Sequence, residues 1–171
     1  MKLRTFKEKD VSGMLEWMQS EESKEIFAKD FNNYTKEDVL LFINTPNDDN
    51  NINYACVDDN DEYLGTVSLK NIDKENSNTE YAISFRKKAQ GTGAAMYATK
   101  ELLEIAFKKL KLKKVYLNVL ETNKRAISFY QKIGFIQEGR FRNHCKKNNN
   151  YTNLLWFSIL KEEYEKRNQE K

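Results

Sequence analysis

Apolar residues at Val11, Met14, Leu15 and Met18 recur every three or four positions, which predicts a helix over 10–19 behind a short strand at 3–6. A second helix is expected to begin at Thr35-Lys36-Glu37-Asp38. There a threonine with an acidic side chain three residues later has the form of a capping box, with Val39, Leu40, Phe42 and Ile43 behind it. Pro46 and the polar run Asn47-Asp48-Asp49-Asn50-Asn51 end that helix. The pattern then shifts to strands at 52–57, 63–69 and 79–85, the first two joined through Asp58-Asp59-Asn60-Asp61-Glu62. Helical spacing returns after a glycine-containing turn at 90–95, where Ala98, Leu102, Leu103, Ile105, Ala106 and Leu110 mark an inward face. A strand at 115–120 leads to a short helix at 124–133 with Ala126, Phe129, Tyr130 and Ile133 on one stripe. Strands at 135–141 and 154–160 follow, and the chain from Glu162 onward is polar enough to fray. The order β-αα-βββ-α-β-α-ββ predicts an α/β chain: a mixed sheet of about seven strands with helices on both faces.

No repeat or linker divides the 171 residues, so one domain over 1–165 with a polar tail at 166–171 is expected. The 12% aromatic content supplies enough apolar area to offset ordering entropy, which argues against disorder. No apolar run approaches the roughly eighteen residues of a membrane span, and the charged start after Met1 lacks a signal-peptide core, so cytoplasm is the expected location. Cys56 and Cys145, with His144 the single histidine, offer no zinc-ligand spacing, and no metal is expected. The net charge of +3 is mild. The lysines between Lys108 and Lys114 suit a helix C-terminus, and no nucleic-acid-binding module is visible.

Chemistry concentrates in two segments. Gln90-Gly91-Thr92-Gly93-Ala94-Ala95 follows a strand and opens a helix, whose unpaired N–H groups and partial positive charge suit a diphosphate. The small residues let phosphate oxygens approach the backbone, and Arg86, Lys87 and Lys88 add positive charge nearby. A turn that merely reverses the chain is the competing reading. A P-loop would need Gly-Lys-Ser/Thr where this loop has Gly-Ala-Ala, and a dinucleotide fingerprint would need a third glycine. The second segment is Asn123-Lys124-Arg125-Ala126-Ile127-Ser128-Phe129-Tyr130-Gln131-Lys132-Ile133-Gly134-Phe135.

Together the two segments resemble the GNAT superfamily of N-acetyltransferases. Gln90, Gly93 and Ala95 match its Arg/Gln-x-x-Gly-x-Gly/Ala signature, and the second segment matches Asn-x-x-Ala-x-x-x-Tyr-x-Lys-x-Gly-Phe after the fifth strand. The resemblance runs over nearly the whole chain, from Leu3-Arg4 to Phe157-Ser158-Ile159-Leu160-Lys161-Glu162-Glu163. Glu138-Gly139-Arg140 brings it closest to the ribosomal-protein and nucleotide-amino-sugar acetyltransferases. Gln90, where arginine is common, and Asn153, where that branch often has aspartate, are departures.

The resemblance implies transfer of an acetyl group from acetyl-CoA to a primary amine. Lys88, Gln90, Gly91, Thr92, Gly93, Ala94 and Ala95 would hold the pyrophosphate. Backbone amides near Ile83 and Phe85, with Asn123, Ala126 and Phe129, would hold the pantetheine arm in a splay between the fourth and fifth strands. Tyr130 is the expected general acid, because a phenol with a pKa of about 10 keeps its proton at neutral pH. Its place on an apolar stripe equally suits packing, and Asn123 equally suits a helix cap. Glu80 is the first candidate for the general base and Glu121 the second; either could instead bind the amine or be an ordinary surface charge. No cysteine or serine is placed to carry the acyl group, so direct attack is expected. Acceptor contacts are expected from Trp17, Phe27, Phe31, Tyr34, Glu21 and Asp30 and from the last strand connection. The acceptor could be an amino sugar, a polyamine, an antibiotic or a protein N-terminus, and the resemblance allows a homodimer through edge strands. The alternative is a non-catalytic acyl-CoA-binding regulatory module on the same fold.

Overall fold

In the computed structural model, described here over residues 1–169, the strands are β1 (Lys2–Arg4), β2 (Ile52–Val57), β3 (Tyr63–Asp73), β4 (Asn78–Phe85), β5 (Lys114–Leu120), β6 (Ile136–Lys147) and β7 (Asn150–Leu160). They form one sheet in the order β1-β2-β3-β4-β5-β7-β6. All neighbours are antiparallel except β4 and β5, which share only three parallel rungs: Asn78 with Lys114, Thr79 with Val115, and Glu80 with Tyr116. Beyond that point each strand keeps its other partner. β4 pairs with β3 as far as Phe85 opposite Gly65, and β5 pairs with β7 along its whole length. The sheet is therefore split at its centre from Tyr81 onward. Gly65 helps hold β4 to β3 there, because a Cβ at this position would lie 2.4 Å from Cγ of the Phe85 ring.

Helices α1 (Val11–Met18), α2 (Glu21–Ile26) and α3 (Lys36–Asn44) belong to one face. There Val11, Met14, Trp17, Met18 and Val39 pack with Ala55, Val57 and Tyr63. Helices α4 (Ala94–Glu104), α5 (Lys124–Ile133) and α6 (Lys161–Gln169) belong to the other, where Ala98, Leu102, Phe107 and Tyr130 pack with Val67, Leu69, Val115, Leu117 and Ile159. The capping box forms as expected: Asp38 N–H donates to Thr35 Oγ1 at 3.2 Å, and Thr35 N–H donates to Asp38 Oδ2 at 2.8 Å.

Three features depart from the sequence reading. Helix α2 was not expected, because Glu21-Glu22-Ser23-Lys24-Glu25-Ile26 carries no apolar stripe; it starts at Ser20, whose side chain accepts from Ser23 N–H. The expected fraying after Glu162 is instead a helix through Gln169, with the Tyr164 ring 5.0 Å from that of Phe107; residues 170–171 of the expected tail lie outside the described residues. The β6–β7 hairpin extends well past the predicted strands and turns at Asn148 and Asn149, both at positive φ, as a tight two-residue hairpin requires.

Leu102 is fully buried where α4 meets the sheet. Leu102→Ala should lower unfolding free energy by about 2–5 kcal/mol through lost contacts and a residual cavity. Urea denaturation read by circular dichroism measures this, and a loss below about 1 kcal/mol would contradict the packing.

Candidate active site

After β4 the chain makes a tight turn at Lys87–Ala89 and enters α4 through Gly91 and Gly93, at φ +77° and +83°. Both lie in the left-handed region that glycine adopts without steric cost. Thr92 braces the turn: its Oγ1 donates to Ala89 O at 2.7 Å and accepts from Ala94 N–H at 3.3 Å. The first bond inside α4 runs from Tyr97 N–H to Gly93 O at 2.9 Å, so the amides of Ala95 and Met96 remain open at the helix start. A Cβ built on Gly91 or Gly93 meets nothing within 4 Å, and the first turn of α4 contains no acidic residue. Open amides, free space and a first helical turn without acidic residues fit the diphosphate of a coenzyme A.

Of the three cations near this loop, Arg86 and Lys88 are already engaged, while Lys87 is exposed. Arg86 bonds Glu16, Glu62 and Tyr63 O, and Lys88 pairs with Glu62. Gln90 Nε2 donates to both carboxylate oxygens of Glu22 at 3.2 Å. Of the residues assigned to the loop, Gly91, Thr92, Gly93, Ala94 and Ala95 lie together at the start of α4, while Lys88 is turned toward the β2–β3 connection.

The split in the sheet adjoins the loop. Arg86 N–H bonds Leu64 O of β3, so by strand alternation the N–H and C=O groups of Ile83 and Phe85 point away from β3 and into the split. Side chains alternate faces in the same way. Tyr81 lies under α4 with its hydroxyl 2.7 Å from Thr99 Oγ1, and the Tyr130 ring meets it edge-on at 6.3 Å. Tyr130 is 7% exposed among Tyr81, Phe129, Phe135 and Phe157. Burial pushes its phenol pKa up, and its hydroxyl has no hydrogen-bond partner among the described residues. Phe129 and Ala126 are half-buried beside it on α5. Asn123 caps that helix, accepting Ala126 N–H at 3.1 Å, and donates to Ile26 O at 3.4 Å.

Glu80 occupies the last shared rung and projects from the opposite face. Its Oε1 accepts from Asn118 Nδ2 at 3.3 Å and its Oε2 from Asn71 Nδ2 at 3.0 Å. Asn118 pairs across the sheet with Trp156, whose ring lies 6.0 Å from Tyr116 and 5.4 Å from Phe141. Glu121, by contrast, bonds Arg140 at 2.8 Å and accepts from Asn153 Nδ2 at 2.6 Å. The Arg140 contact, then that of Asn153, holds its carboxyl below the usual range, which makes it a weaker base.

Trp17, Phe27, Phe31 and Tyr34 pack on one another with ring centroids 5.3 to 5.5 Å apart, while Asp30 bonds Asn32 and Glu21 pairs with Lys24. A surface hollow of about 570 Å³ between Asp30, Tyr34, Asp38 and Phe42 includes none of the motif residues. Sequence reading missed Asn71 and Asn118. A polar residue inside the apolar run 115–120, two positions from Tyr116 and so on its face, was the available signal for Asn118.

A glycine loop at a helix start, beside a sheet split at its parallel pair, defines a class of fold that can take an extended anionic ligand between two strands. The chain belongs to the acetyltransferase (GNAT) domain family, whose model matches residues 1–136. It is similar to a putative ribosomal N-acetyltransferase of Bacillus subtilis, 31% identical over 59% of this chain and 55% of the relative. It is also similar to a spermidine N(1)-acetyltransferase of Escherichia coli, 33% identical over 60% of this chain and 55% of the relative. The chain thus matches little more than half the length of these curated relatives. The crystal structure of a spermidine N-acetyltransferase from Vibrio cholerae in complex with CoA and spermine shares the fold, with a TM-score of 0.86 and 22% identity over 95% of this chain and 96% of that one.

A Cβ at Gly93 would meet no neighbour, but valine would be strained at positive φ and would crowd the space over the open amides. Gly93→Val should weaken CoA binding at least about tenfold, roughly 1.4 kcal/mol, in calorimetric titration, with α4 still folded by circular dichroism. Unchanged affinity would remove the loop from the site.

Proposed function

We propose that the chain transfers the acetyl group of acetyl-CoA to a primary amine by direct attack, as a single domain over 1–165. The observation that carries this reading is the split after the Glu80–Tyr116 rung, with a phenol on one face of the sheet and a carboxylate on the other. Gln90, Gly91, Thr92, Gly93, Ala94 and Ala95 would hold the diphosphate, and the inward-turned amides of Ile83 and Phe85 the pantetheine arm. When bound, acetyl-CoA supplies an acetyl group activated as a thioester.

The chain's own groups then divide the proton work. Glu80, positioned by Asn71 and Asn118, takes a proton from the incoming ammonium at a carboxylate oxygen, directly or through water. Amide N–H groups in the split stabilise negative charge that develops on an oxygen there. Tyr130 holds its proton at Oη through neutral pH, because burial disfavours the phenolate, and is suited to donate it to an anion leaving on its own face. Glu121 is the less suitable base, since Arg140 and Asn153 already occupy its oxygens.

For the acceptor we favour a small alkylamine cation of the polyamine type. Glu80 with the rings of Tyr116, Trp156 and Phe141 on the same side gives a carboxylate and aromatic faces, both of which attract ammonium groups. Relatives named for spermidine support this choice. No described helix is long and apolar enough to cross a membrane, and the free cysteines suit a reducing compartment, so cytoplasm is the proposed location.

Tyr130→Phe should lower kcat by about 100-fold while CoA affinity stays within about twofold. Unchanged turnover would remove Tyr130 from the mechanism, and CoA binding without turnover of any amine in the wild type would favour a regulatory module. Glu80→Gln should lower kcat/KM for spermidine by roughly 10- to 100-fold at pH 7. That deficit should shrink as pH rises toward the amine's own pKa of about 10. A deficit independent of pH would exclude Glu80 as the base.

A further inference from the structure

Glu22 stands in the first turn of α2, and its carboxylate binds two donors from different parts of the chain. Gln90 Nε2 reaches both of its oxygens at 3.2 Å, and an Arg125 guanidinium nitrogen reaches Oε1 at 3.0 Å. Gln90 belongs to the loop that continues β4, and Arg125 to the first turn of the helix that follows β5. One anion therefore bridges the two elements bordering the split in the sheet.

Charge makes the bridge informative. A glutamine at the loop's head brings no positive charge, Arg86 is shared between Glu16 and Glu62, and Lys88 is paired with Glu62. Arg125 is the cation that shares an anion with the loop. Its side chain is 63% exposed and that of Glu22 37%, so solvent screens their ion pair and its net contribution is small. A diphosphate offers more acceptor oxygens and more charge than one carboxylate, and a guanidinium takes such oxygens two at a time.

Building on the acetyltransferase reading, we propose that Arg125 joins Gln90 as a side-chain ligand of the cofactor's diphosphate, and that Glu22 holds the place of that diphosphate in the cofactor-free protein. Cofactor entry is then an exchange: the Glu22 carboxylate leaves to solvent and the two donors keep an anionic partner throughout. Arg125 supplies the charge that the loop lacks at position 90.

The test is a calorimetric titration of CoA into the intact chain and its Glu22→Gln and Arg125→Gln variants at two salt concentrations. Glu22→Gln should tighten CoA binding about three- to tenfold, because the competing charge is gone. Arg125→Gln should weaken it at least about fivefold and reduce its salt dependence. For S-acetylpantetheine, which has no diphosphate, Glu22→Gln should leave kcat/KM within about twofold. Equal or weaker CoA affinity in Glu22→Gln, or unchanged affinity in Arg125→Gln, would overturn the proposal while leaving the acetyltransferase reading intact. A wild-type chain that binds no CoA would overturn both.

Discussion

The central constraint is the parting of β4 from β5 after three parallel rungs. Each strand stays held on its far side, β4 by β3 and β5 by β7, so the opening costs no pairing elsewhere. It nevertheless exposes backbone donors and acceptors in the middle of a sheet, where they need partners. Water can serve them in the free protein. An extended ligand carrying amide groups is a better match, because it completes the interrupted ladder.

Around that opening the chain separates three kinds of chemistry. The start of α4 offers bare amides and free volume for anionic charge. The α5 face offers a buried phenol whose proton is retained because its anion would be poorly solvated. The opposite face offers Glu80, held by two asparagines and bordered by aromatic rings. Strand alternation sends Glu80 and Tyr81 to opposite faces, and the Tyr130 ring packs on the Tyr81 side, so phenol and carboxylate lie on different sides of one vertex.

The local parts of this arrangement were legible in the sequence. The strand period over 52–57, the capping box at Thr35, the glycine turn opening α4 and the Asn123 cap each depend on neighbouring residues and formed as read. What was not legible depends on distant partners. Helix α2 has no apolar stripe, and its polar side chains find Gln90 and Arg125 only after folding. Arg86 and Lys88 read as loop cations, yet Glu16 and Glu62 draw them elsewhere. Glu80 ranked ahead of Glu121 only by resemblance; the Arg140 and Asn153 contacts that physically separate them come from the long β6–β7 hairpin.

The most direct measurement is amide hydrogen exchange with and without CoA, resolved to single residues. A cofactor seated in the split should slow exchange at Ile83 and Phe85 and, at the start of α4, at Ala95 and Met96, with little change in β1 and β2. Protection confined to other elements, with these four amides exchanging at the free protein's rate, would contradict the placement of the cofactor between β4 and β5.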